Sequence, residues 1–184
     1  MMTRGYPRRA PTVDFPRDVP HETNLTIRPA TEADAPAIWR ILEPILREGE
    51  AYALDRDMDE AQALAFWTAP DRTVFVAEQD GEVVGTYYLR PNQMGGGRHV
   101  CNCGYGVAQH AMGRGVARAM GLHSLDEGRR QGYRAMQFNF VVSSNVRAVR
   151  LWESLGFSVV GRLPGAFVHP KLGAVDALVM FREL

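Results

Sequence analysis

Cysteine is scarce in this sequence: two residues, Cys101 and Cys103, both within the tripeptide CNC. On a strand they point to one face two residues apart, a poor geometry for a mutual disulfide. A metal site needs wider spacing and more ligands. The pair therefore reads as small buried strand residues in a reducing cytoplasm. Net charge is also missing, with 21 basic residues against 21 acidic ones. A nucleic-acid binder normally carries a basic excess, so that class is set aside. No apolar run is long enough to span a bilayer. The N-terminal stretch MMTRGYPRRAPTVDFPRDVP has arginines but lacks the apolar core of a secretory signal. The expectation is a cytoplasmic protein with no nucleic-acid or membrane partner. The five histidines form no metal or triad pattern. G-x-S-x-G, H-E-x-x-H and G-x-x-x-x-G-K-[ST] are all absent, and G-x-G-x-x-G fails because Arg118 stands at its last glycine.

What is present fits one globular domain. The 184 residues are 46% hydrophobic and 23% charged. A chain of this size buries roughly 70% of its unfolded surface and needs no disulfides. Residues 1–24 are rich in proline and arginine and lack periodicity, and read as an N-terminal arm. Residues 25–184 carry the pattern of a domain. A strand at Leu25–Arg28 precedes a helix capped by Thr31, with Asp34 in a capping-box position. Pro44 is expected to bend or break that helix. Asp57 or Asp59 opens a second helix, which stops at Pro70. TVFVAEQ, Asp80-Gly81 and EVVGTYYLR read as a hairpin. NQMGGGR is a flexible connection, and HVCNCGYGV is a strand with a small-residue face. A helix to about Gln131, the nearly uninterrupted apolar strand AMQFNFVV and a helix capped by Asn145 follow. FSVVGRL and AVDALVMFR are the last strands. The order is β-α-α-β-β-β-α-β-α-β-β, an α/β chain with a mixed sheet and helices on both faces.

The stretch HAMGRGVARAM, His110–Met120, concentrates small residues where a strand runs into a helix. The first N–H groups of a helix lack internal partners, and the helix dipole favours negative charge there. A phosphate suits such a place. Glycines let a backbone close on a ligand, and Arg114 offers a charge-assisted contact. A helix packed tightly on a sheet also asks for small residues, so the stretch alone admits both readings.

Downstream, SSNVRAVRLWESLGF combines Asn145, Ala148, Leu151, Trp152, Gly156 and Phe157. With Met112-Gly113-Arg114-Gly115-Val116-Ala117 in front of it, the chain resembles the GCN5-related N-acetyltransferase (GNAT) superfamily over roughly Leu25 to Arg182. The family's first motif is Q/R-x-x-G-x-G/A and its second N-x-x-A-x-x-L-Y-x-x-x-G-F. The resemblance implies a mostly antiparallel central sheet of about seven strands, splayed between the fourth and fifth main strands. It implies acetyl-CoA as co-substrate and no metal. The backbone N–H groups of Gly113 to Ala117 are expected to hold the pyrophosphate, with Met112 beside them in the cofactor site. Tyr105 and Val107 are expected to pair with the pantetheine amides like an added strand. Asn145, Ala148 and Trp152 are expected to line the rest of the cofactor site, Asn145 also serving as a plain helix cap.

Three positions depart from the family pattern. Met112 replaces an arginine or glutamine. Trp152 replaces a tyrosine that protonates the departing thiolate in many members. Indole N–H has no useful acidity, and core packing is an equal reading of Trp152. Asn102 stands where the family often has a glutamate, and it cannot take a proton. Asn102 and Asn139, on adjoining strands, are the candidates for positioning a substrate, or else for satisfying splayed backbone. FNFVVSSN also resembles a segment of fungal acetyltransferases that act on proline-like ring amino acids. Glu50 is the candidate base or amine anchor, with a solvated loop carboxylate as the alternative. Tyr52 and Tyr87 are candidates to line the acceptor pocket. His99 lies near a strand, and the other histidines read as surface residues. The expected activity is direct acetyl transfer to the amine of a small molecule, an amino acid or toxic amine, by a homodimer. A non-catalytic acetyl-CoA sensor and a protein lysine or N-terminal acetyltransferase are the alternatives.

Overall fold

The computed structural model describes residues 24–184, so all but the last residue of the expected arm lies outside the described residues. Seven segments of apolar alternation pair into one sheet: β1 (Leu25–Pro29), β2 (Thr73–Gln79), β3 (Glu82–Pro91), β4 (Val100–Val107), β5 (Ala135–Val142), β6 (Ser158–His169) and β7 (Gly173–Glu183). Their order across the sheet is β1-β2-β3-β4-β5-β7-β6. Every pairing is antiparallel except β4 with β5. The β2–β3 hairpin turns at Asp80 (φ 52°) and Gly81 (φ 83°), the two positive values a tight primed turn demands.

Among the described residues four α-helices cover the sheet: α1 (Ala35–Glu48), α2 (Glu60–Trp67), α3 (Val116–Arg130) and α4 (Val146–Ser154). Asp59 caps α2 by accepting from Gln62 N at 2.8 Å. Alternate residues of β3 and β4 face opposite layers. Gly106 faces α1, where an added Cβ would stand 3.0 Å from Ile41 Cγ2. Gly85 faces α3, where it would stand 2.9 Å from Met120 Cε. These strand glycines let the two helix layers close on the sheet. One core lies around Tyr87, Met120, Met136 and Phe138; the other packs Ile38, Leu42, Trp67 and Tyr88 between α1, α2 and the sheet. Buried Thr86 is satisfied twice, accepting from Trp67 Nε1 at 3.1 Å and donating to the Phe75 carbonyl at 3.0 Å.

Several expectations need correction. Pro44 does not break α1, which runs unbroken to Glu48. The capping box of Thr31 and Asp34 is present as expected, but it opens a short 3-10 turn, Glu32–Asp34, that leads into α1. NQMGGGR contains a 3-10 turn at Gly95–Gly97. β6 and β7 are longer than expected, because Pro164-Gly165 is absorbed as a ladder irregularity between Leu163 and Phe167.

Candidate active site

The site begins where the sheet comes apart. β4 and β5 pair in parallel at two positions only, Val100 with Ala135 and Cys101 with Met136. At the next position Asn102 Nδ2 donates to the Gln137 carbonyl at 2.9 Å, spanning the gap with a side chain. Gln137 Nε2 donates to Asn139 Oδ1 at 2.7 Å, and Asn139 Nδ2 donates to Asn92 Oδ1 at 2.6 Å. A line of amides thus runs along the opening on one face.

Two cavities occupy this region. The first, about 380 Å³, is lined by Asn102, Tyr105, Asn139, Asn145, Ala148 and Trp152, among others. The second, about 450 Å³, is lined by Glu50, Tyr105, Val107, Met112, Asn145 and His169, among others. Tyr52, Tyr105 and Asn145 belong to both. The Tyr52 hydroxyl marks the junction: it accepts from the Tyr105 N–H and donates to the Tyr105 carbonyl, each at 2.7 Å. Burial pushes the Tyr52 phenol well above its usual range, so it stays protonated.

Trp152 is 8% exposed and packs against Tyr105 and Phe138, each with ring centroids 4.8 Å away, while lining the first cavity. Packing and lining are therefore both true of it. Asn145 Oδ1 accepts from Ala148 N at 3.1 Å, which makes it the cap of α4 as well as a wall of both cavities.

The connection from β4 to α3 carries Gly113 (φ 79°) and Gly115 (φ 85°). A Cβ on either would meet no protein atom within 4 Å. Glycine is required here by the left-handed backbone rather than by crowding within the protein. The Gly115 carbonyl already accepts from Ala119 N at 2.9 Å. The N–H groups of Val116 and Ala117 precede any internal acceptor, as at every helix start. Arg114 is exposed beside them.

Glu50 pairs with Lys171 Nζ at 2.6 Å and lies 3.9 Å from His169 Nε2. The ammonium holds its carboxyl below the usual range, so Glu50 is poised as an anion rather than as a strong base. Tyr87 is not at the site. It is fully buried on the α3 side of the sheet, its hydroxyl 2.6 Å from His123 Nδ1. His123 and His169 consequently are not plain surface residues.

Sequence reasoning did not find four residues here. Arg90 lines the first cavity, and Arg72 stacks on two of its rings. Gln137 forms part of the amide line. Ser144 lines the second cavity with its hydroxyl buried and without a partner among the described residues. Only the arginines gave a signal, as cations next to apolar strands.

Comparison with known proteins fits this geometry. The Acetyltransferase (GNAT) family matches residues 35–157. The chain belongs to the GNAT family. N-acetyltransferase aca1 of Schizosaccharomyces pombe is 31% identical over 112 residues, 60% of this chain and 54% of that relative, so the match spans about half of that protein's length. The L-methionine sulfoximine/L-methionine sulfone acetyltransferase of Salmonella typhimurium is 31% identical over 144 residues, 76% of this chain and 84% of the relative. A GCN5-related N-acetyltransferase from Kribbella flavida superposes with TM-score 0.83 at 43% identity, covering 87% of this chain and 98% of its own. The yncA acetyltransferase of Salmonella typhimurium, solved with acetyl-CoA, superposes with TM-score 0.78 at 30% identity over 88% and 95%. The GNAT parting of β4 from β5 is thus shared with proteins of known fold.

Proposed function

We propose that this GNAT protein transfers the acetyl group of acetyl-CoA to the amine of a small molecule by direct attack. The parted β4–β5 seam carries the reading. It opens a cleft whose two cavities run from Met112, at the start of the glycine connection before α3, to Asn102 and Asn139 of the amide line. The residues present fit acetyl-CoA. The start of α3 offers free N–H groups and a positive dipole end to phosphates, and the space around Gly113 and Gly115 is open. The edge groups of Val107 suit pantetheine amides, while those of Tyr105 are held by the Tyr52 hydroxyl.

Acetyl-CoA would supply the activated acyl group. The chain's own residues would orient the amine and stabilise charge. The Tyr105 N–H is aimed into the cleft and would stabilise an oxyanion once the Tyr52 hydroxyl yields it. Asn139 and Asn102 would position the acceptor. Attack needs the neutral amine, whose proton would pass to water in the open cleft. The C–N bond would form as the C–S bond breaks, and coenzyme A would leave as the thiolate and take up a proton from water. Glu50, as an anion, would serve to draw in the arriving ammonium rather than as a strong base. A first cavity of about 380 Å³ suits a small acceptor, and the Salmonella relative's name points to amino acids. A homodimer in the cytoplasm completes the reading.

Asn102 and Trp152, at the family's base and acid positions, favour one second reading, an acetyl-CoA sensor. Calorimetric titration with acetyl-CoA and coenzyme A comes first, followed by an amine screen for thiol release. Micromolar binding with turnover supports the enzyme. Binding without release from any amine leaves the sensor, and no binding by the folded protein rejects both.

A further inference from the structure

The first cavity is lined by one charged residue among those described, Arg90. Arg90 stands directly opposite Asn102 in the β3–β4 register, on the face that carries the amide line. Beside it, the Arg72 guanidinium carbon lies 4.0 Å from the Phe66 ring centroid and 4.4 Å from that of Tyr88. Both rings line the same cavity. The Arg72 side chain is 6% exposed.

These two cations are under-compensated. Arg72 Nε and Nη1 and Arg90 Nε are buried without a hydrogen-bond partner among the described residues. Their one carboxylate neighbour is Asp71, half exposed, at 3.6 Å from Arg72 Nε and 3.3 Å from Arg90 Nη1. Two guanidinium groups thus share a single, half-exposed carboxylate, to which only Arg90 Nη1 donates a hydrogen bond. Buried donors left unpaired are costly. Arg90 lines the first cavity, where an anion would relieve its Nε, whereas Arg72 lies behind the Phe66 and Tyr88 rings and adds positive charge. A cationic wall also repels a bare protonated amine, whereas a zwitterion presents an acid to the arginine and an amine to the amides.

We propose that Arg90 anchors an acid group of the acceptor, which is therefore an α-amino acid bound by its carboxylate. This deepens the proposed function and rests on it for the reaction, but the binding itself does not. Guanidinium and carboxylate match in a two-pronged geometry that fixes orientation as well as position. With the carboxylate on Arg90, the amino group would face the amide line, on the side where the strands part.

The test is binding. Neutral L-α-amino acids, L-methionine sulfone included, are titrated against their α-carboxamides on the full chain, with and without saturating coenzyme A. Glutamine and isoglutamine are added to the set. Glutamine keeps the α-carboxylate, and isoglutamine keeps only the side-chain acid. The acids should bind about ten- to a hundred-fold more tightly than the amides, as loss of charge-assisted hydrogen bonds implies. Arg90→Gln should erase that preference, Arg90→Lys should restore part of it, and the affinity for acetyl-CoA should stay unchanged in both. No binding of any acid, equal binding of acids and amides, or a preference that survives in Arg90→Gln overturns the proposal. Isoglutamine preferred over glutamine reassigns the anchor to a side-chain acid and overturns the α-carboxylate form. If acetyl-CoA fails to bind while the acid preference stands, the acetyltransferase reading falls and this site remains.

Discussion

At the scale of residues, Gly115 and Asn139 are the sharpest points of leverage. Gly115 holds φ 85° with open space around its missing Cβ. A side chain there strains the backbone modestly, but an acid also projects charge into the place proposed for phosphate. Gly115→Asp should therefore lose acetyl-CoA binding while circular dichroism still reports a folded protein. Normal affinity in that variant would remove the phosphate assignment. Asn139 joins Gln137 to Asn92. Asn139→Ala breaks that line without touching the cradle, so steady-state kinetics should show a larger rise in KM for the acceptor than for acetyl-CoA. Equal rises would count against a positioning role. The role of Tyr52 was only half legible. Its aromatic body in a loop suggested a pocket wall, but its two bonds to Tyr105 join residues 53 positions apart, and no local pattern encodes that.

At the scale of elements, the start of α1 is tied to β1 by charge. Arg28 donates to both carboxylate oxygens of Asp34, at 2.8 and 2.9 Å. Asp34 also accepts from Thr31 N at 2.7 Å. The guanidinium holds the Asp34 carboxyl well below its ordinary value. Its stabilisation is thus fully present above the unfolded pKa, about 4, and is lost as pH falls toward the lower folded value. Asp34→Asn should cost about 1 kcal/mol at neutral pH, since Arg28 is partly solvated. In urea titrations the gap between variant and wild type should close progressively below about pH 4; a gap that is constant down to pH 2 would contradict the pairing. Asp59→Ala should cost about 1 kcal/mol through loss of the α2 cap. The order of elements was readable because Asp80-Gly81, Asp59 and Asn145 are local signals with local causes. The lengths of β6 and β7 were not. Pro164-Gly165 carries the local signature of a turn, and only the partner strand shows that pairing resumes beyond it.

At the scale of the whole molecule, the sheet ends in an open border. β6 is its last strand and lacks a partner on one side among the described residues. Val159, Val160, Leu163 and Val168 are exposed along it, Val168 at 79%. An apolar edge of this length invites pairing with a second chain. The proposed homodimer should sediment at twice the chain mass, and Val160→Asp with Val168→Asp should shift it toward the monomer. A wild-type monomer at micromolar concentration would reject the dimer. The cleft between β4 and β5 was foreseeable from two motifs far apart in sequence, whereas the arginine pair above the amide line depends on packing between α2 and β3 that no motif records. The pairing of Lys171 with Glu50 also matters at the bench. Lys171 is the only lysine in the sequence. An amine-reactive dye therefore finds one side-chain amine, exposed on the turn between β6 and β7 and held against the residue that borders the second cavity. The protein thus offers a ready attachment point for a fluorophore, placed to sense filling of the cavity as a change in emission.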